Sequence, residues 1–323
     1  MHAIVMRSTG DPDVFEWEEV ADPDPSPGRV VVDVEVAGVN FIDTYHRRGL
    51  YPVEMPFTPG VDGAGTVAAV PDGTTWPSPG DRVAWFGPPG SYAERASVPV
   101  DRVVAVPDDV TLEAATAAMT QGLTAHYLAT ATYRLAADDT CLVHAGAGGV
   151  GRLLIQMAKR LGATVYTTVS TPEKADVAGA AGADHVIRYT EEDFAEAARR
   201  IAGTDRPFDV VYDGVGSTTF EAGLTLIRPR GTMALFGQAS GPVEAFDPQA
   251  LNANGSLFLT RPSLGDHVAT REELDERAAD VFGGIVDGWL TVEIGAEFPL
   301  RDAAEAHRAL EGRRTTGKVL LRR

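Results

Sequence analysis

Gly146-x-Gly148-x-x-Gly151 follows the apolar run Cys141–Ala145 and opens onto the amphipathic pattern Arg152–Leu161. The chemistry available to such a loop is capture of a dinucleotide pyrophosphate. Gly146 allows the tight turn, Gly148 lets backbone approach the phosphates, Gly151 permits close helix–strand contact, and the helix N-terminus faces the negative charge. The glycine spacing alone is common, but a strand before it and a helix after it make it specific. The next strand, Val165–Val169, ends in Ser170-Thr171. Folds of this kind that prefer NAD end it in Asp or Glu, about 20 residues past the glycines, to bind the ribose 2′-hydroxyl. Without that carboxylate a 2′-phosphate is not repelled, Ser170 can donate to it and Lys174 can neutralise part of it, which points to NADPH. Lys174 also reads as a solvated lysine on a helix's first turn, and Tyr189 as an adenine contact or a core residue.

The elements that must position these residues alternate from Thr140 onward. Strands Cys141–Ala145, Thr164–Val169, His185–Ile187 and Val210–Asp213 each precede a helix: Val150–Leu161, Pro172–Ala181, Glu191–Ile201 and Thr218–Leu226. Further strands are expected at Gly231–Phe236 and Ser256–Thr260. This order predicts right-handed βαβ crossovers and a doubly wound parallel sheet. Before it, Val30–Val36 and Gly65–Val70 are β-rich and punctuated by Pro and Gly, so the first hundred or so residues read as a loop-rich β domain. Thr111–Tyr133 turns helical, Arg271–Trp289 reads as one amphipathic helix, and Phe298–Arg323 as a short helix and a final strand, Lys318–Leu321, that completes the first domain. The domains expected are 1–121 with 264–323, and 122–263.

The 323 residues suit two domains, with 44% hydrophobic and 23% charged residues. No apolar run reaches the roughly 18 residues of a membrane span. The N-terminus reads as a strand rather than a signal peptide, so a cytoplasmic location is expected. Cys141 is the one cysteine, which excludes an internal disulfide and a thiolate-built zinc site. A net charge of −18 argues against nucleic acid. Lysine occurs only at 159, 174 and 318, which fits either a salt-rich cytosol or GC-biased coding.

Four further segments carry a resemblance: Gly38–Tyr45 with Gly49–Pro52, Gln121–Leu128, Gly255–Leu264 and Thr315–Lys318. With the glycine loop they resemble zinc-independent NADPH:quinone oxidoreductases of the medium-chain dehydrogenase/reductase superfamily, zeta-crystallin-like, almost end to end. The resemblance implies an α/β protein with a GroES-like β-rich catalytic domain, a doubly wound Rossmann domain binding NADPH, and a homodimer. Zinc-containing relatives place Cys near position 40 and Gly-His-Glu near 60–62, where this chain has Asn40 and Gly60-Val61-Asp62. Zinc-dependent alcohol oxidation, which needs a Lewis acid on the alkoxide, is therefore not expected.

Carried over position by position, the resemblance puts the nicotinamide end against Asn40, Phe41, Ile42, Asp43, Thr44, Tyr45 and Thr124. It puts the pyrophosphate on Gly148, Gly149 and Val150, between the motif's Gly146 and Gly151, and the 2′-phosphate on Ser170, Lys174, Tyr189 and Arg313. Val215, Phe236, Gly237, Ser240, Leu259, Thr260 and Arg261 would lie along the cofactor. Gln121 stands where some quinone reductases carry Lys. Lys318 is a second candidate anion contact, or a plain residue at the start of a surface strand.

The implied reaction is hydride transfer from nicotinamide C4 to a quinone or another conjugated carbonyl. Asn40 would orient the carboxamide or the substrate oxygen, and Tyr45 and Tyr51 would supply an aromatic wall and a phenolic donor. Asp43 would hold Tyr45 or a water, relay a proton, or only cap the turn Phe41–His46. His46 and His126 lie near these segments, Asp62 reads as structural in the turn before Gly63, and Trp85–Tyr92 as a mobile loop or a plain turn. The alternatives are an NADPH-dependent enone or 2-alkenal reductase and, in a different class, a non-catalytic NADPH-binding protein.

Overall fold

The computed structural model describes all 323 residues. In chain order its strands are β1 (His2–Val5), β2 (Glu16–Glu19), β3 (Arg29–Val39), β4 (Asp62–Ala69), β5 (Arg82–Phe86), β6 (Arg95–Pro99), β7 (Val103–Ala105), β8 (Thr140–His144), β9 (Thr164–Val169), β10 (His185–Arg188), β11 (Phe208–Asp213), β12 (Ile227–Leu235), β13 (Phe258–Thr260), β14 (Ile294–Pro299) and β15 (Lys318–Arg322). Its helices are α1 (Phe41–Arg47), α2 (Leu112–Ala117), α3 (Leu123–Tyr127), α4 (Gly149–Arg160), α5 (Pro172–Ala180), α6 (Phe194–Ala202), α7 (Phe220–Leu224), α8 (Gln249–Ala253), α9 (Leu264–His267), α10 (Arg271–Val286) and α11 (Ala303–Glu311). The chain forms two units, Met1–Leu123 with Val268–Arg323, and Thr124–His267.

The first unit is built on β3, whose valine-rich sequence suits a strand with both neighbours present. It pairs antiparallel with β4, β6 and β15, in a sheet ordered β14-β15-β3-β4-β5-β7. Val319 lies opposite Val39 and Leu320 opposite Gly38, so the C-terminal strand runs beside the end of β3 that feeds α1. Val30, Val32, Val34, Trp85, Tyr92, Ala303 and Leu321 share one core. The mobile-loop reading of Trp85–Tyr92 is corrected here: Trp85 lies in β5, and both Trp85 and Tyr92 are fully buried. Two rings of that size are worth more in the core than on a moving loop. Gly87–Gly90 between them is a turn, with Gly87 and Gly90 at φ of 132° and 125° and their N–H groups donating to the Val61 and Gly60 carbonyls.

The second unit is a wholly parallel sheet ordered β10-β9-β8-β11-β12-β13. The chain starts at β8, moves outward through β9 and β10, then returns to β11 on the other side. The strand order therefore reverses between β8 and β11, and the carboxyl ends beside that point are where open α/β sheets take ligands.

The expected helix over Thr111–Tyr133 is instead α2 and α3 joined and followed by two wider π turns, Ala118–Gly122 and Leu128–Thr132. The helix expected to reach Trp289 stops at Val286, before Gly288 at φ 77°.

Candidate active site

In the second unit the glycine loop leaves β8 and Gly148 caps α4. The residue with left-handed backbone in this turn is Ala145, φ 57°, rather than Gly146. Gly146 is needed for packing, since a Cβ there would stand 2.0 Å from Thr167 Oγ1. At Gly151 a Cβ would stand 2.4 Å from the Ala145 carbonyl, so helix and strand meet as the motif requires. Gly148, Gly149 and Val150 are partly exposed at the α4 N-terminus, where the Gly148 N–H donates to the Ala145 carbonyl and the first-turn N–H groups of the helix that follow it are the ones suited to an anion.

The sheet brings most of the other nucleotide candidates of this unit to the same edge. Ser170 follows β9 and Tyr189 follows β10, where Tyr189 N–H donates to the Val169 carbonyl and Thr190 Oγ1 to the Ser170 carbonyl. Thr171 caps α5 by accepting from the Lys174 N–H, which sets Lys174 in the first turn. After β11, Asp213 Oδ1 accepts from the Val215 and Gly216 N–H groups, and Ser240 donates twice to the Val215 carbonyl. Phe236 and Gly237 follow β12 and pack on Gly214, where a Cβ would lie 2.8 Å from the Phe236 ring. Leu259, Thr260 and Arg261 close the row at β13. Thr124 is buried on α3, and His126 is partly buried with Thr130 beside it.

In the first unit α1 carries Phe41, Ile42, Asp43, Thr44 and Tyr45, and Asn40 precedes it with extended backbone. Asp43 Oδ2 accepts from the Asn40 N–H at 2.8 Å, the capping contact expected of it. Thr44 Oγ1 donates to the Phe41 carbonyl. Tyr45 and Tyr51 meet edge to face at 5.4 Å, and His46 sits edge-on to Tyr51 and Phe57. Burial holds the His46 imidazole below its usual pKa. Arg313 belongs to this unit, in the exposed turn after α11, at φ 55°.

Asn40 is held on both ends of its amide. Its Nδ2 donates to Asp62 Oδ1 at 2.9 Å, and its Oδ1 accepts from Lys318 Nζ at 2.9 Å. Lys318 also donates to Asp62 Oδ2 at 2.7 Å. The surface-strand and anion-contact readings of Lys318 are therefore wrong. β15 lies inside the sheet between β14 and β3, and its first side chain points inward with its charge met by Asp62. Asp62 likewise is not a turn residue: it opens β4, opposite Phe86, and is fully buried. An ammonium thus lies between positions 40 and 62.

Sequence reasoning missed three residues behind Asp43. Tyr92 Oη lies 3.4 Å from Asp43 Oδ2 and 3.1 Å from His307 Nε2. His307 Nδ1 faces Arg47 Nη1 at 3.1 Å, and Arg47 is gripped by both oxygens of Glu311. Arg47 sits in a His46-Arg47-Arg48 run that reads as solvated charge, and His307 lies more than 200 positions from its partners in sequence. The spacing gave no signal for either. Burial and the nearby Asp62 charge raise the Asp43 carboxyl to about 7. Burial and Arg47 lower His307 to about 3, and burial pushes the Tyr92 phenol well above its usual range.

Comparison with known proteins agrees with both units. Residues 26–108 match the alcohol dehydrogenase GroES-like domain, and residues 149–282 the zinc-binding dehydrogenase family. A Pseudomonas aeruginosa quinone oxidoreductase is 43% identical over 321 residues, 98% of each chain. A Burkholderia 2-haloacrylate reductase is 40% identical over 329 residues, 99% of this chain and 98% of its own. The structure of Escherichia coli quinone oxidoreductase complexed with NADPH superposes with a TM-score of 0.97 at 39% identity, covering 100% of both chains. On this evidence of sequence and fold, the chain belongs to the quinone oxidoreductase family of the medium-chain dehydrogenase/reductase superfamily.

Proposed function

We propose that the protein reduces quinones with NADPH by hydride transfer, with no metal taking part. The observation that carries the reading is the carboxyl edge of the parallel sheet. A glycine cradle that no Cβ could enter at Gly146 or Gly151 stands beside a strand ending in Ser170-Thr171, with Lys174 in the helix that follows. That donor set suits a pyrophosphate and a 2′-phosphate. When bound, NADPH supplies the hydride, and the protein's task is to bind, orient and exclude water.

In the second unit we assign the pyrophosphate to Gly146–Gly151 and the 2′-phosphate to Ser170, Lys174 and Tyr189. Val215, Phe236, Gly237, Ser240 and Leu259–Arg261 lie along the cofactor in this reading. In the first unit we assign the nicotinamide end and the acceptor to Asn40–Tyr45 with Tyr51, and a further 2′-phosphate contact to Arg313. Thr124 is assigned to the nicotinamide end. Asn40 enters as a rigid amide, since Lys318 and Asp62 fix which end donates. Asp43 is fully buried, so its contribution passes through the Asn40 N–H and Tyr92. A reduced quinone is a delocalised anion, so a hydrogen-bond donor suffices where an alkoxide would need a Lewis acid.

The domains in this reading are 1–121 with 264–323 for catalysis and 122–263 for the nucleotide. A cytoplasmic homodimer completes it. Phe258, 63% exposed on the outer strand β13, supports the dimer, and no helix is long and apolar enough to cross a membrane. Sedimentation at micromolar concentration tests the dimer.

The 40% identity to a 2-haloacrylate reductase favours one second reading, reduction of a conjugated carbonyl at its β-carbon. NADPH oxidation with 1,4-benzoquinone, 9,10-phenanthrenequinone, 2-hexenal and 2-chloroacrylate, with NADH as control, separates the readings. Turnover of the quinones supports quinone reduction, and turnover of only the last two replaces it. NADPH binding without any turnover favours a non-catalytic NADPH-binding protein.

A further inference from the structure

We infer that Tyr92 and His307 are positioning residues for Asp43, the last links of a one-way hydrogen-bond chain Arg47 → His307 → Tyr92 → Asp43 that fixes where Asp43 can hold a proton. The direction follows from donor inventories. A guanidinium has no acceptor, so Arg47 Nη1 donates to His307 Nδ1, 3.1 Å away, and that nitrogen carries its lone pair. His307 is buried and neutral, so its proton sits on Nε2 and is donated to Tyr92 Oη at 3.1 Å. The Tyr92 hydroxyl hydrogen is then left to point at Asp43 Oδ2, 3.4 Å away.

Asp43 Oδ2 already accepts from the Asn40 N–H. With two donors aimed at Oδ2, a proton on Asp43 belongs on Oδ1, the buried oxygen that has no hydrogen-bond partner. The other charged groups facing Asp43 are Asp62, which favours that proton, and Lys318, which opposes it. Arg47 itself is held by Glu311 and the Gly10 carbonyl. Because a guanidinium does not give up a proton, the chain is closed to solvent protons at the Glu311 end. It therefore sets a charge state at the start of α1 and does not conduct. The link to turnover rests on reading Asn40–Tyr45 as the acceptor end; the chain itself does not.

The test uses the intact protein with ¹⁵N-labelled histidine and ¹³C-carboxyl-labelled aspartate, assigned by difference with His307→Gln and Asp43→Asn. His307 is expected as the neutral Nε2–H tautomer, without titrating from pH 5 to 8. In Tyr92→Phe the Asp43 midpoint is expected to rise by about one pH unit, because a donor to the ionised form is gone. An Nδ1–H tautomer in the unmodified protein, a His307 that titrates in that range, or an Asp43 midpoint unmoved in Tyr92→Phe each overturns the chain. The kcat/KM profile with NADPH and a quinone should carry the Asp43 midpoint and shift with it in Tyr92→Phe while KM for NADPH stays put. A turning-over enzyme whose profile ignores that midpoint overturns the positioning role. If the resonances behave as expected and no acceptor turns over, it is the reductase reading that fails and the chain stands.

Discussion

The Lys318 ammonium lies 2.7 Å from Asp62 Oδ2 with both side chains shut off from water, and the Asn40 amide closes the triangle. A buried pair of this kind is weak evidence of net stabilisation, but removing one partner strands the other charge. Lys318→Met is expected to cost about 3–5 kcal/mol in urea unfolding. Adding Asp62→Asn to it should recover about 2 kcal/mol or more, because the stranded carboxylate is gone. A single variant within about 1 kcal/mol of the parent would sink the argument, since that is the scale of an exposed pair.

Gly151 and Gly179 make opposite predictions from the same substitution. A Cβ at Gly151 would stand 2.4 Å from the Ala145 carbonyl and 2.9 Å from Gly146 Cα, both backbone atoms that cannot swing away. Gly151→Ala should lose about 2–3 kcal/mol and raise KM for the nucleotide more than about tenfold, as the loop is forced open. Gly179 is helical on α5 with nothing within 4 Å of its added Cβ. Gly179→Ala should gain about 0.5–1 kcal/mol and leave KM alone. Paired thermal melts and kinetics read both.

The parallel sheet was legible because its first four strands, β8 to β11, each have a local signature, an apolar run followed by a helical pattern. For the same reason the residues proposed for the nucleotide could be picked out in groups that follow successive strands, from Gly146 after β8 to Arg261 after β13. The first unit resisted such reading. Lys318 looks like an exposed strand start until β15 is seen between β14 and β3, and no periodicity announces that a lysine will face a carboxylate 256 residues away. His307 and Arg47 meet only because α11 packs on α1. Contacts of that sequence separation are set by tertiary packing, which overrides local propensity. Even the glycine loop was only half legible: its spacing is right, but the left-handed residue is Ala145, and Gly146 answers to the Thr167 hydroxyl instead.

Ser170 and Lys174 should decide between NADPH and NADH. Lys174→Ala is expected to raise KM for NADPH about tenfold, about 1.4 kcal/mol of lost binding, with little change for NADH. Ser170→Asp places a carboxylate where a ribose 2′-hydroxyl is bound in NAD-preferring folds, so it should invert the preference. Initial rates with both nucleotides and one quinone measure this. Equal losses for the two nucleotides in Lys174→Ala would remove Lys174 from the 2′-phosphate.

Asp43 and His307 pull the pH dependence of stability in opposite directions. Folding raises the Asp43 carboxyl from 3.8 to about 7, so between those values the folded state holds a proton the unfolded chain has released. Its contribution is fully present below 3.8 and is lost as pH rises towards 7. Folding lowers the His307 imidazole from 6.5 to about 3, so there the unfolded chain holds the extra proton. Its contribution is present above 6.5 and is lost as pH falls towards 3. From 3.8 to 6.5 one proton is gained and one lost, and the two slopes cancel. Each slope alone is about 1.4 kcal/mol per pH unit. In Asp43→Asn, where only His307 remains, urea stability should therefore climb with pH through this window. In His307→Gln it should fall. The parent, which has both, should show neither slope from this pair, and two variants that stay parallel to it would mean that the buried groups keep their ordinary proton affinities.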